Sequence, residues 1–202
     1  MKVAGLILAG GKGSRFGGAD KAFVSLAGKP FIAHVLARLQ PQVLQVAISA
    51  NGDPARFLTY ALPILPDDPA FEELGPLAGV LSGLRWAAMQ KMDFVLTTPV
   101  DTPYLPVDLR SQLWPGPSVA LYGGRVQPLA ALWPVGFAEE LEAFLRQPGK
   151  HKVSEALARC QARDVAIVAP DEAFANINSP EELAALSART SAAAPDARDP
   201  KI

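Results

Sequence analysis

Residues 3–21 have the sequence VAGLILAGGKGSRFGGADK. The first part, Val3–Leu8, is an unbroken apolar run, which predicts a strand buried on both faces of a parallel sheet. The strand leads into five glycines interleaved with the cations Lys12, Arg15 and Lys21. Glycine lets backbone N–H groups approach anionic oxygens, and the cations neutralise charge that the amides cannot. A strand that ends in such a loop predicts a polyphosphate-binding site.

Two common phosphate loops do not fit this stretch. In a P-loop, Lys and then Ser or Thr directly follow the last glycine, whereas here Gly18 is followed by Ala19 and Asp20. The dinucleotide pattern G-x-G-x-x-G also fails, because Phe16 stands where its third glycine should be. The loop therefore belongs to a different class of phosphate-binding loop.

Strand and helix patterns alternate through the first half of the chain. Apolar residues at helical spacing predict a helix at Phe31–Leu39, which stops before a proline. Strands are predicted at Val43–Ala50, Leu62–Leu65 and Asp93–Thr98, with a second helix at Leu77–Met89. Such alternation predicts an α/β fold of three layers, in which a mostly parallel, twisted sheet has helices on both faces, as in a Rossmann-like fold.

The second half is less regular. We expect a hairpin around two glycines, then two helices and a strand, at Ser118–Tyr122 with Leu129–Trp133, Val135–Phe144, Val153–Ala162 and Val165–Val168. A last helix is predicted after Ser179, which has the position of an N-cap with Glu182 three residues later. We expect a single domain over residues 1–190, followed by a mobile C-terminal tail at 191–202 that is short of large apolar residues.

Polar residues follow three of the predicted strands. Asn51, Asp67 and Asp101 each come just after a strand, and parallel sheets bind ligands beyond the carboxyl ends of their strands. Asp101 has two interpretations: it can supply a carboxylate to Mg²⁺, or it can cap the turn that follows. Asn51 can bind a base or ribose, or it can form a turn with the next glycine. Asp67 and Asp68 are both candidates, and we favour Asp67.

Several blocks together resemble the molybdenum cofactor guanylyltransferase family. The stretch LAGGKGSRFGG followed by DK is similar to the opening motif of these nucleotidyltransferases. Further matching blocks occur in the family's order, at 48–51 (ISAN), 75–79 (GPLAG), 101–103 (DTP) and 176–183 (NINSPEEL). The resemblance covers roughly residues 3–187, and the first and last blocks favour the molybdopterin branch of the larger group.

The resemblance implies a role for individual residues. It implies a catalytic role for Arg15, Lys21 and Asp101, with Asp101 as the ligand of Mg²⁺. Nucleotide binding is implied for Leu8, Ala9, Gly10, Gly11, Lys21, Asn51, Asp67 and Asp101. On the acceptor side, the resemblance implies Asn176 and Asn178, although Asn178 also suits a structural turn before the last helix.

The implied reaction transfers GMP from GTP to molybdopterin, releases pyrophosphate and forms the guanine dinucleotide form of the cofactor. The attacking phosphate is already anionic, so the reaction needs no general base, which agrees with the lack of a Ser/His/Asp or Cys/His set in the sequence. The implied partners are GTP, molybdopterin and, in transient contact, cofactor-delivery proteins or apo-molybdoenzymes.

Two alternatives stay open at this point. One is a related nucleotidyltransferase that uses CTP or another NTP, with molybdopterin or a sugar or isoprenoid phosphate as acceptor. The other is a nucleotide-binding regulatory protein without catalysis.

Composition limits where the protein acts. The net charge of −1 does not point to nucleic acid or to an anionic membrane. A lone cysteine, Cys160, excludes an internal disulfide and fits a reducing compartment. No apolar run approaches the ~18 residues of a membrane span, and the start of the chain lacks the layout of a signal peptide. We therefore expect a cytoplasmic protein.

Overall fold

A computed structural model describes residues 1–10, 20–177, 179 and 181–183. Most of its strands form one seven-stranded sheet with the order β5-β4-β1-β6-β8-β7-β9, and β2 pairs with β3 in a separate hairpin. The strands are β1 (Val3–Leu8), β2 (Ser25–Leu26), β3 (Lys29–Pro30), β4 (Gln45–Ser49), β5 (Ile64–Leu65), β6 (Phe94–Pro99), β7 (Ser118–Tyr122), β8 (Arg125–Pro134) and β9 (Arg163–Ala166). The helices are α1 (Phe31–Leu39), α2 (Pro76–Met89), α3 (Leu109–Leu113), α4 (Ala138–Leu145) and α5 (Val153–Arg159).

The sheet is mostly parallel, as predicted. β1 pairs in parallel with β4 on one side and with β6 on the other. β5 continues the parallel arrangement beyond β4. β8 runs antiparallel to both β6 and β7, and β9 returns parallel to β7. Four of the six strand pairings in this sheet are therefore parallel.

Helices cover both faces of the sheet. Alternate residues of β1 point to opposite faces, so that Leu6 joins one hydrophobic core and Ile7 the other. The first core contains the buried hydrophobic residues of α2, α4 and α5, and the second contains those of α3 and most of those of α1. Phe31 of α1 packs instead in a smaller third cluster with Leu26 and Ile177. The expected three-layer α/β architecture is confirmed. Among the described residues, no helix combines the length and the apolar character needed to cross a membrane.

The second half differs from the prediction in detail. β8 begins at Arg125 rather than Leu129, because Gly123 and Gly124, both at positive φ, form a two-residue turn that pairs Tyr122 directly with Arg125. The segment predicted as the helix Val135–Phe144 opens with a 3₁₀ turn, and α4 starts only at Ala138.

The strand predicted at Val165–Val168 is wrong in its bounds, since β9 begins and ends two residues earlier, at Arg163–Ala166. β9 ends at Ala166, and Val168 leaves the ladder because the side chain of Gln112 takes its backbone groups. Val168 N donates to Gln112 Oε1 at 2.9 Å, and Gln112 Nε2 donates to Val168 O at 3.0 Å. The C-terminal tail at 191–202 lies outside the described residues.

Helix α2 approaches β1 closely because it has glycine where the two elements meet. A Cβ placed on Gly83 would lie 2.3 Å from Leu6 Cδ2 and 3.2 Å from both Cδ1 and Cγ of the same residue. Leu6 is fully buried, so its side chain has little room to move away.

We therefore expect Gly83→Ala to destabilise the protein. Overpacking of a core costs about 1–3 kcal/mol, which equals or outweighs the helix propensity of about 1 kcal/mol gained by replacing glycine. The matched control is Gly136→Ala, since no described heavy atom lies within 4 Å of a Cβ built there. Urea denaturation followed by circular dichroism should give a lower midpoint for Gly83→Ala alone. Equal midpoints for the two variants would contradict this packing account.

Candidate active site

A cavity of about 1420 Å³ opens where the central parallel strands end. Leu8, Ser49 and Pro99, the last residues of β1, β4 and β6, all contribute to its wall. The predicted site residues that line it are Leu8, Ala9, Gly10, Lys21, Asn51, Asp67, Asp101 and Asn176. Gly11, Arg15 and Asn178 lie outside the described residues. The structure thus brings every described member of the predicted site to one cavity.

Two residues of the expected phosphate site, Lys21 and Asp101, form an ion pair. Lys21 Nζ lies 2.8 Å from Asp101 Oδ2, and the two side chains are 22% and 15% exposed. Lys21 is held by a short 3₁₀ helix that starts with it and is capped by Asp20, whose Oδ1 accepts a hydrogen bond from Ala22 N at 3.0 Å. A partly buried pair of this kind places one cation and one carboxylate at a fixed separation.

Asp101 is presented by the turn after β6. The turn is stabilised by Thr102, whose Oγ1 donates to Pro99 O at 2.9 Å. The described hydrogen bonds give no turn-capping role to the Asp101 carboxylate, which engages Lys21 through Oδ2. Ile177 N donates to Asp101 O at 3.2 Å, so the segment that carries Asn176 is fastened beside this carboxylate.

Asn51 and Asp67 hold each other across the cavity wall. Asn51 Nδ2 donates to Asp67 Oδ2 at 2.8 Å, and Asp67 N donates to Asn51 Oδ1 at 2.9 Å. Burial raises the pKa of Asp67 above its ordinary value of 3.8, while the hydrogen bond from Asn51 lowers it and nearby Glu72 raises it further. This reciprocal pair fixes both side chains where β4 and β5 end.

The choice between Asp67 and Asp68 follows from their partners. Asp68 Oδ2 accepts from Arg85 Nη1 at 3.0 Å, so that it pairs with a residue of α2. A hydrogen bond from Ala70 N, followed by one from Arg85, lowers the pKa of Asp68 below 3.8. Asp67 lines the cavity and Asp68 does not. Of the two candidates, Asp67 is therefore the one placed where a ligand in the cavity could contact it.

The glycines of the GPLAG block bring the start of α2 to the cavity. Gly75, Pro76 and Gly79 all line it. A Cβ on Gly79 would lie 2.3 Å from Ser49 Oγ, so only glycine allows this close contact between α2 and β4. A helix N-terminus at this place favours an anionic ligand.

Several lining residues were not found by sequence reasoning, namely Asp20, Arg56, Glu72, Glu73, Gln127 and Phe174. Gln127 reaches the cavity because the register of β8 against β7 jumps from Ala131 to Gln127. A signal for this was present, since Pro128 cannot donate to a ladder and marks a bulge when it occurs inside a strand. Arg56 comes from a 3₁₀ helix, Pro54–Tyr60, whose sequence carries no motif.

The possible metal ligands at the cavity wall suit an ion that is held partly by the protein and partly by the substrate. The described residues contain no group of three or more His, Cys, Asp or Glu side chains placed to bind a metal. Mg²⁺ in phosphate-transferring sites is usually bound by one or two carboxylates, with substrate phosphates and water as its other ligands. Asp101, at the cavity wall beside Lys21, fits that requirement.

Comparison with known proteins identifies the class and then the family. Residues 5–160 match the family model of the MobA-like NTP transferase domain, so the fold and the cavity are those of a nucleotidyltransferase. The chain is 50% identical over 189 residues to a molybdenum cofactor guanylyltransferase of Cereibacter sphaeroides, covering 91% of this chain and 95% of that one. A protein of the same name from Acidiphilium cryptum is 46% identical over 183 residues, covering 91% and 93%. The chain belongs to the molybdenum cofactor guanylyltransferase family.

A solved structure supports the fold assignment. The molybdopterin-guanine dinucleotide biosynthesis protein A of Archaeoglobus fulgidus superposes with a TM-score of 0.71 at 26% identity. The match covers 95% of this chain and 100% of that protein. The α/β architecture predicted from strand and helix alternation is therefore shared with a structure of the same family.

Asp67 and Asp68 should change stability with pH in opposite directions. The folded protein binds a proton at Asp67 more tightly than the unfolded chain does, so stability due to Asp67 falls as pH rises above 3.8. Asp68 has a lowered pKa, so its contribution is present above 3.8 and is lost as pH falls below it. Relative to wild type, Asp67→Asn should therefore gain stability as the pH rises above 3.8. Asp68→Asn should lose stability relative to wild type as the pH rises toward 3.8.

Urea denaturation at a series of pH values measures both differences. Each single variant serves as the control for the other, because the two residues are neighbours with the same side chain. Slopes of the same sign for the two variants would show that their environments are not as described.

Proposed function

We propose that this protein transfers GMP from GTP to molybdopterin, releases pyrophosphate and produces the guanine dinucleotide form of the molybdenum cofactor. One observation carries this proposal: the 2.8 Å Lys21–Asp101 pair at the carboxyl end of the sheet, in a chain of this family. The pair supplies a cation for phosphate oxygens and a carboxylate for a divalent cation within one cavity.

The transfer itself requires charge neutralisation and alignment. A phosphate oxygen of molybdopterin forms a bond to the α-phosphorus of GTP. The bond from that phosphorus to the oxygen bridging to the β-phosphate breaks, and the electron pair leaves with pyrophosphate. The nucleophile is anionic at neutral pH, so no residue has to remove a proton from it. The barrier that the protein must lower is the approach of two anions and the growth of charge on the leaving group.

Lys21 meets that requirement as a compact cation at the cavity wall. Arg15, whose fork can engage two oxygens at once, is proposed to act beside it from the glycine-rich loop, together with the backbone of Gly10 and Gly11. Asp101 is proposed to hold Mg²⁺, which supplies charge neutralisation on the triphosphate when it is bound. Leu8 and Ala9 complete the nucleotide-binding edge at the end of β1.

Asn51 and Asp67 are proposed to recognise the base. An ionised carboxylate only accepts hydrogen bonds, and the Asn51 amide both donates and accepts, so together they suit a base edge that carries N–H donors. Their reciprocal hydrogen bonds fix the orientation of both groups before a ligand arrives. Such preorganisation reduces the entropy lost on binding.

The acceptor is proposed to bind next to Asp101 on the side of Asn176. The hydrogen bond from Ile177 N to Asp101 O fixes that side of the cavity, and Asn178 two residues later is proposed to contribute. We further propose that the protein acts in the cytoplasm as a single domain over residues 1–190. Its proposed transient partners are cofactor-delivery proteins and apo-molybdoenzymes.

A nucleotide panel tests the substrate assignment. With molybdopterin and Mg²⁺ present, pyrophosphate release should be fastest with GTP, and CTP, UTP and TTP should each be slower by at least about tenfold, since a base edge with mismatched donors leaves polar groups unpaired. A preference for CTP would identify the related cytidylyl transfer instead. Absence of turnover with every nucleotide would favour the non-catalytic alternative.

Replacement of the carboxylate tests the chemistry. Asp101→Asn keeps the size of the side chain but removes its charge, and we expect kcat to fall by at least about a hundredfold because the metal ligand is lost. Asp171→Asn, at an exposed position, is the matched control and should keep wild-type activity. Circular dichroism checks that both variants are folded. A folded Asp101→Asn enzyme with near wild-type kcat would rule out this role for Asp101.

A further inference from the structure

Arg56 lies between Asn51, on the proposed base side of the cavity, and Asp20, which precedes Lys21. It lies on the 3₁₀ helix Pro54–Tyr60, shortly after the turn that carries Asn51. Its side chain is 32% exposed and contributes to the wall of the cavity. Sequence motifs give it no role.

Three contacts hold the Arg56 guanidinium. Its Nη2 donates to Asn51 O at 2.6 Å, and its Nε lies 3.1 Å from Asp20 Oδ2. Its central carbon lies 4.9 Å from the centre of the Phe57 ring, and Phe57 is buried. A planar cation with five fixed donors can make such contacts to a carbonyl and a carboxylate at once, which a lysine cannot.

Asp20 uses its two oxygens for different partners. Oδ1 caps the 3₁₀ helix that begins with Lys21, by accepting from Ala22 N at 3.0 Å. Oδ2 is buried and accepts no aligned hydrogen bond from the described residues, so Arg56 meets it as an ion pair. A buried carboxylate oxygen without a compensating cation is costly and would repel a neighbouring triphosphate.

Arg56 therefore connects two chains of contacts. On one side it holds the backbone of Asn51, whose side chain is bonded to Asp67. On the other it pairs with Asp20, whose cap positions Lys21 against Asp101. We propose that Arg56 is a positioning residue for the nucleotide: it neutralises Asp20 beside the triphosphate and fixes Asn51 for base recognition. This inference rests on the proposed nucleotide transfer.

The two tasks of Arg56 separate in a double-mutant cycle. Asp20→Asn keeps an oxygen that can cap Ala22 N but removes the negative charge, so the cycle consists of Arg56→Ala, Asp20→Asn and the double variant. Arg125→Ala, which removes an exposed arginine that does not line the cavity, is the matched control. For each protein we would measure the Kd of the Mg²⁺ complex of GTP by calorimetry, the ratio of Kd values for CTP and GTP, and the thermal midpoint.

We expect Arg56→Ala to weaken GTP binding by about tenfold, because it leaves the Asp20 carboxylate uncompensated beside the triphosphate. It should also reduce the CTP-to-GTP ratio of Kd values, because Asn51 loses the contact that fixes it. Asp20→Asn alone should change Kd by less than about threefold. In the double variant the affinity for GTP should recover toward that of Asp20→Asn, because no uncompensated carboxylate is left. The CTP-to-GTP ratio should stay low, because Asn51 has still lost its partner. A variant that has only lost stability would have a lower thermal midpoint but an unchanged Kd at temperatures where it is fully folded.

Two results would overturn the proposal. If Arg56→Ala binds GTP as wild type does, Arg56 does not position the site. If the double variant binds no better than Arg56→Ala, Arg56 contacts the triphosphate directly rather than acting through Asp20. If wild type prefers a nucleotide other than GTP, the substrate assignment fails, and the same cycle with the preferred nucleotide still decides the role of Arg56.

Discussion

The register of β1 between its two parallel neighbours determines the geometry of the site. Leu8, the last residue of β1, pairs with Ser49 of β4 on one side and with Pro99 of β6 on the other. Three segments of chain therefore leave the sheet at the same level. The residues two positions further on are Gly10, Asn51 and Asp101, and all three line the cavity. The register of the parallel strands fixes this convergence, because a shift of one strand by one residue would turn its side chains to the opposite face of the sheet.

The packing of α2 completes the arrangement. Two glycines one helical turn apart, Gly79 and Gly83, let the helix lie directly against Ser49 and Leu6. The start of α2 is thereby held at the edge where the strands end, and buried residues along the whole helix contribute to the core on that face of the sheet. Site and core thus share the same elements. A substitution in this contact acts on stability and on the position of the helix N-terminus together.

Much of this could be predicted because the signals are local. The apolar runs of β1 and β6, the helical spacing of α1 and the GPLAG block all act within short windows, and the strand-end positions of Asn51 and Asp101 follow from them. What could not be predicted depends on partners distant in sequence. Gln112 ends β9 by bonding Val168, and Arg85 draws Asp68 away from the cavity. Arg56 acquires its place through Asp20, which is thirty-six positions earlier. No short stretch of sequence, of the length that reveals a strand or a helix, contains both members of such a pair.

In the proposed reaction, the cavity aligns an acceptor phosphate for attack on the α-phosphorus of a nucleotide. GTP labelled either on the α- or on the γ-phosphate tests it directly, with molybdopterin as acceptor and the products separated by chromatography. The α-label should appear in a guanine dinucleotide form of the pterin, and the γ-label only in pyrophosphate. A γ-label on the pterin, or its release as orthophosphate, would contradict nucleotidyl transfer and indicate phosphoryl transfer or hydrolysis instead.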